Sequence, residues 1–331
     1  MLSRVADSLY WMSRYIERAE NVARFLDVNF HMTLDLPMGA VEQWEPLVAT
    51  TGDDAMFDEL YGTTKATREN AIKFLAFDQA NPNSIVSCLR AARENARSVR
   101  QFITLEMWEH VNKFYMMVNS STAPLRAFEA PHDFFGDIMM ASHGFLGITD
   151  ATMSHGEGWH FCHVGRMLER ADKTSRLLDV KYFMLLPSVG YVGSPYDDIL
   201  WSAVLRSTSA FEMYRKAHQQ ISPERVVEFL VLDREFPRAI HHCVIEAEES
   251  LRAISGTPGG TFRNQAEQRL GRIRAELDYV QVEEIIRDGL HEFLDDLQDR
   301  LNASGQAIFD TFFALRPIDS AGLAKKGSRE Q

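Results

Sequence analysis

Cysteine is scarce in this chain: three residues (Cys88, Cys162 and Cys243) stand far apart without a CxxC spacing, so neither a disulfide framework nor a zinc ribbon is indicated. Proline (11) and glycine (19) are also modest in number and sit mostly at segment ends, which favours long regular elements. No run of eighteen uncharged apolar residues occurs, and the first residues, Met-Leu-Ser-Arg-Val-Ala-Asp, carry charges where a signal peptide needs an apolar stretch. The expectation is a soluble, cytoplasmic protein with no membrane association. Positive charge is in deficit, with a net charge of −12, which argues against sequence-independent binding to nucleic acid. Walker-type loops, Gly-x-Gly-x-x-Gly and Gly-x-Ser-x-Gly are absent, and so is any convincing alternating strand.

What is present is helical periodicity nearly throughout, so the fold class expected is all-α, a multi-helix bundle. Ser3 is placed to cap a helix reaching about residue 32. Further helices are expected near 41–50, 54–60, 67–77, 83–103, 104–119, 131–152, about 158–187, 196–218, 222–231, 237–254, 263–280 and 282–315. With 331 residues and 45% hydrophobic content the chain can bury one large core. One domain over 1–316 is expected, with half-repeats about 1–150 and 151–316, followed by a polar tail at 317–331.

The half-repeats are suggested by one stretch that occurs twice. Residues Arg14 to Val28 align without a gap to Arg166 to Val180, with eight of fifteen positions identical, among them Arg14, Glu17, Arg18, Ala19, Arg24 and Asp27. An apolar stripe at spacings of four and three runs through both copies, and Glu17, Asn21 and Arg24 lie roughly opposite it. A solvated helix surface with i,i+4 pairs Glu20–Arg24 and Asp172–Arg176 is one reading of that face. A functional or buried-polar face is the other, because acid and arginines recur in register.

A second concentration of arginine is the ladder Arg90, Arg93, Arg97 and Arg100, with Asn95 between its rungs. Like charges so spaced need an anion opposite them: an acidic helix of the same chain (Glu283, Glu284, Asp288 or Asp295-Asp296), or a carboxylate or phosphate ligand held in planar, bidentate fashion. Candidate metal ligands are His155, His160 and His163, where Glu157-x-x-His160 has the spacing of di-iron bundles, and His241-His242 beside Glu246. A second Glu-x-x-His copy is lacking, so no metal site is expected.

The opening Leu2-Ser3-Arg4-Val5-Ala6-Asp7-Ser8-Leu9-Tyr10-Trp11 through Asn21 resembles the signature of the alpha-E family, named for its helices and Glu-Arg motifs. Ala92 to Arg97, Glu106 to Glu109, Gly165 to Asp172, Leu205 to Phe211 and Phe236-Pro237-Arg238 agree in order, so the resemblance spans roughly residues 1 to 315. It implies association with circularly permuted ATP-grasp proteins, often with transglutaminase-like peptidases nearby, and hence a helical component of a system that makes or modifies peptide amide bonds. ATP would then be bound by that partner, and this chain would need no cofactor of its own.

The residues fit a groove for a carboxylate- or phosphate-bearing ligand such as a peptide or amino acid. Arg14, Arg18, Asn21, Arg24, Arg93, Asn95, Arg97, Arg166, Arg170, Arg176 and Arg206 are the candidate ligand-binding residues, and Glu17 and Glu169 the candidate catalytic ones. A carboxylate among arginines is a poor general acid, which favours positioning over proton transfer. Two alternatives stay open: a stand-alone enzyme acting on an amide or activated carboxylate, and a metal-binding bundle.

Overall fold

The computed structural model describes residues 1–35, 44–62, 66–184 and 195–314. Among these there are sixteen α-helices and no strand. The first eight are α1 (Ser3–Asp35), α2 (Glu45–Thr51), α3 (Asp54–Tyr61), α4 (Arg68–Ile72), α5 (Ile85–Ser98), α6 (Leu105–Val118), α7 (Ala123–Glu129) and α8 (Pro131–Thr152). The rest are α9 (Glu157–Met184), α10 (Pro195–Ser207), α11 (Phe211–Ala217), α12 (Pro223–Val231), α13 (Ile240–Ser255), α14 (Gln265–Tyr279), α15 (Val282–Asp288) and α16 (Leu290–Ile308). Short π-helical turns, Lys73–Phe77 and Phe309–Phe313, extend α4 and α16.

Side-chain caps start several helices where the sequence predicts them. Ser84 accepts from the Ser87 amide, Thr104 from Met107, Ser222 from Arg225 and Asn264 from Glu267. Two expected long helices are broken instead. The segment 196–218 turns between α10 and α11, where Ser209 has a φ of 53°. The segment 282–315 breaks at Gly289, whose φ of 109° is open to glycine alone. Helix α7 has no counterpart in the periodicity, and the expected end of the second motif helix near 187 and the tail at 317–331 lie outside the described residues.

One apolar core runs from Val5 to Phe313. At its centre α1 packs on α9, with α5, α8 and α10 around α1 and α13, α16 and α2 around α9. The two central helices are parallel, since the N-terminus of Met1 meets Glu157 while further along Glu17 meets Arg170. They approach closely because position 165 is glycine, where a Cβ would run into the Tyr10 carbonyl oxygen. Being wrapped on every side, α1 buries its polar face as well as its apolar stripe: Ser13, Glu17, Glu20, Asn21, Arg24, Asp27 and Asn29 are all buried. The face opposite the stripe is therefore not a solvated one.

Candidate functional site

The two copies of the Glu-Arg motif meet across the α1–α9 contact and exchange partners. Arg170 donates from Nε and Nη2 to the two carboxylate oxygens of Glu17, both at 2.8 Å. Arg18 donates from Nε and Nη2 to those of Glu169, at 2.6 and 3.0 Å. Each glutamate thus holds the arginine of the other copy in the planar, bidentate geometry that only a guanidinium provides. Arg14 adds a 2.8 Å hydrogen bond to Glu169 while lying over the rings of Tyr10 and Trp11.

A second layer surrounds this crossover. Arg238 donates to Glu17, to Asn21 at 3.1 Å and to Glu20. Arg24 donates from Nε and Nη2 to Glu20, at 2.8 and 2.7 Å. In the second copy Asp172 accepts from Arg176 at 3.0 Å and pairs with Lys173 at 3.2 Å. Burial would raise all four carboxylates, but the facing cations more than offset it: Arg170 and Arg238 hold Glu17 low, Arg238 and Arg24 hold Glu20 low, Arg18 and Arg14 hold Glu169 low, and Lys173 and Arg176 hold Asp172 low. Burial and the Arg24 guanidinium push Arg238 down to about 10, which leaves it charged at neutral pH.

This geometry decides what Glu17 and Glu169 can do. They are 2% and 0% exposed, fully paired and firmly ionised. The cavity beside Glu17, lined also by Ser13, Glu20, Ser142, Arg166 and Arg170, has a volume of about 10 Å³, room for one water. The expected open groove lined by both motifs is replaced by a closed ion-pair core, because α8, α10 and α13 cover the face that the sequence left free.

The arginine ladder does not join this core. It lies on the outer face of α5 and meets α6, so the acidic helices α15 and α16 are not its partners: Arg93 donates to Asn112 at 2.7 Å and lies over Trp108 and Tyr115, and Arg100 lies over Trp108. Arg97, 68% exposed, pairs with Glu94 one helical turn away. Asn95 likewise stays on α5, its carbonyl accepting from Ser98.

Three predicted residues lie apart from the crossover. Arg166 donates to His163 Nδ1 at 2.7 Å. His163 in turn sits 3.0 Å from Glu246, and burial together with Arg166 pushes its imidazole down to about 3. Receiving a hydrogen bond on Nδ1, the neutral ring carries its proton on Nε2 and donates to Glu246. The second and third, Arg24 and Arg206, reach an open pocket. A cavity of about 320 Å³ between α1, α8 and the α10–α11 turn is lined by Arg24, Asp27, Met139, His143, Arg206 and Ser209, among others. Arg24 Nη1 donates to Ser209 Oγ at 2.5 Å and Nη2 lies 3.0 Å from His143 Nε2. Arg206 is exposed and lies 4.4 Å from the centre of the Phe211 ring.

Ser209 is the one non-glycine residue with positive φ among the described residues. Backbone strain of that kind, worth about 1–3 kcal/mol, persists where surroundings enforce it and clusters at ligand sites. Ser209, His143 and Arg238 were not singled out from the sequence. Arg238 and Ser209 left a signal, as members of the Phe236-Pro237-Arg238 and Leu205 to Phe211 blocks, and His143 left none. The three cysteines are buried, and burial pushes Cys88, Cys162 and Cys243 up to about 12, 11 and 12, which removes them as nucleophiles.

An all-α domain whose core is a reciprocal Glu-Arg exchange corresponds to a described class, a predicted alpha-helical domain with a conserved ER motif, which matches residues 1–313. The chain belongs to this Alpha-E family. It is also similar to uncharacterized proteins of Mycobacterium tuberculosis and Mycobacterium bovis, each 24% identical over 345 residues. Those alignments cover 97% of this chain and 37% of the relative, so the chain spans just over a third of the length of the curated relatives it matches. No solved structure matches the chain. No helix among the described residues is long and apolar enough to cross a membrane.

Proposed function

We propose that the chain positions a carboxylate-bearing peptide or amino-acid substrate for a separate ATP-grasp protein that makes or modifies amide bonds. The pocket between α1, α8 and the α10–α11 turn carries this reading. Two guanidinium groups, Arg24 and Arg206, reach it beside the strained Ser209, and its 320 Å³ accommodates a small ligand. The closed Glu-Arg core is assigned a supporting role: it fixes α1 against α9 and thereby aims Arg24. Positioning rather than proton transfer follows from the low, fully paired state of Glu17 and Glu169. The greater length of the relatives fits a module that works beside other protein, and the ATP-grasp association itself rests on the family resemblance.

Reconstitution with a circularly permuted ATP-grasp protein, the partner that the family resemblance implies, tests the proposal. ADP release and amide formation from a peptide with a free carboxylate should depend on this chain and fall at least about tenfold in Arg206→Ala, since a charge-assisted contact is worth roughly 1.5–3 kcal/mol. Equal turnover by the ATP-grasp protein alone overturns the proposal. Turnover by this chain alone would replace it with the stand-alone enzyme.

A further inference from the structure

At the α8 side of the same pocket three metal-type donors converge. Asp27 Oδ1 lies 2.9 Å from His132 Nδ1, His132 Nδ1 lies 3.0 Å from His31 Nε2, and His31 Nε2 lies 3.9 Å from Asp27 Oδ1. Among the described residues this is the one place where three such atoms gather. We propose that Asp27, His31 and His132 bind a divalent first-row transition ion of the zinc or iron class.

The chemistry of the triangle supports a cation at its centre. A ring nitrogen offers either one proton or one lone pair. A proton on His132 Nδ1 would have to be shared between the carboxylate and the second imidazole, leaving the His31 and Asp27 lone pairs facing each other. A lone pair there would face the Asp27 carboxylate directly. A cation accepts from all three. Donors at these separations can sit about 2.0–2.2 Å from a common ion, with two angles of roughly 90° and one, between His31 and Asp27, of roughly 135°, which a small rotation of the exposed His31 ring would bring towards a tetrahedral or facial octahedral site. The imidazole planes are inclined by 76°, so the rings meet by their edges and do not stack face to face. Two imidazoles and one carboxylate suit zinc, iron, cobalt or nickel and not the all-oxygen sites of calcium or magnesium.

The fold holds the donors from two directions. Asp27 and His31 are four residues apart on one face of α1, and His132 follows Pro131 in the first turn of α8. The Asp27 side chain is 10% exposed, whereas His31 and His132 are 46% and 67% exposed, so the ion has a path from solvent and coordination positions left over. Asp27 also lines the pocket that holds Arg24 and Arg206, which puts those positions beside the proposed substrate carboxylate. Ion binding itself does not rest on the substrate-positioning reading; only the ion's use does.

The untagged full-length chain, stripped with EDTA and titrated with Zn²⁺ by calorimetry and with Co²⁺ by visible absorption, should take up one equivalent and develop cobalt ligand-field bands. His132→Ala and Asp27→Asn should each weaken Zn²⁺ binding by more than the roughly 10–100-fold that loss of a ligand's hydrogen-bond partner costs. His132 is exposed, so His132→Ala should keep the helical circular dichroism and the Tm of the metal-free wild type, while losing the Zn²⁺-induced rise in Tm. Substoichiometric uptake by wild type, or equal affinity in His132→Ala, overturns the site. One equivalent bound through these residues, without effect of His132→Ala on the ATP-grasp-coupled reaction, upholds the site and removes the ion from substrate positioning.

Discussion

Asp27 and Asp179 occupy matching places in the two motif helices, and so do Arg24 and Arg176, yet their surroundings differ. In the first copy Arg24 reaches Ser209 and His143 at the pocket, and Asp27 faces two histidines. In the second, Arg176 closes back on Asp172 against Gly52, and Asp179 meets His291 at 2.6 Å. About two turns earlier the copies are equivalent, each glutamate clasping the other's arginine. The centre is constrained by reciprocity, because a change in either copy leaves a buried charge unanswered. The ends carry no such bond and are free to acquire separate chemistry.

The largest effects are expected at the shared centre. Arg170→Ala or Glu169→Gln should lower unfolding free energy by about 3–5 kcal/mol in chemical denaturation, the usual result of stranding one member of a buried pair. A loss below about 1 kcal/mol would show that the crossover does not hold the two helices. Arg18→Lys and Arg170→Lys keep charge and lose the fork, and should cost less than the alanine change in the same assay.

Acid titration sharpens the comparison. The carboxylates of both copies are held below their ordinary range, so their contribution is complete above about pH 4.5 and is lost as pH falls, when the unfolded chain takes up protons the folded one refuses. His163, pushed down to about 3, begins the decline earlier, from near pH 6.5. Denaturation curves between pH 7 and 3 should therefore bend twice, and His163→Gln should shrink the upper step, to which His160 and His241, also lowered by burial, contribute, and leave the lower one unchanged. A single bend in wild type contradicts the neutral His163.

At the pocket end smaller changes in stability are expected. Ser209→Gly relieves the positive φ but loses the hydroxyl held by Arg24, so Tm should move little while ligand positioning suffers. Smallest of all is Arg97→Ala on the exposed face of α5, expected within about 0.5 kcal/mol of wild type, since surface ion pairs contribute little.

Period and caps made the helices legible, and the recurrence of Arg14 to Asp27 singled out the residues that meet at the centre. Their burial was not legible, because a charged face opposite an apolar stripe reads as solvent-facing unless the helix is known to be surrounded. Contacts across long separations were equally hidden: Arg238 reaches Glu17 over 221 residues and Ser209 reaches Arg24 over 185. The metal-type triangle escaped for the same reason, with His132 lying 105 residues from Asp27. The ladder on α5 did suggest charge pairing, but stacking on α6 aromatics replaces the acidic helix that the charges call for.

The parallel seating of α1 on α9 also governs the order in which this protein can mature. As synthesis proceeds, Glu17 emerges long before Arg170 and Arg238, and Glu20, paired with Arg24 on its own helix, emerges long before Arg238. Until α9 and α13 have left the ribosome, α1 cannot be enclosed without stranding ionised carboxylates in apolar surroundings. The nascent N-terminal half must therefore keep its central helix wet, and closure of the core is deferred to a late, concerted step.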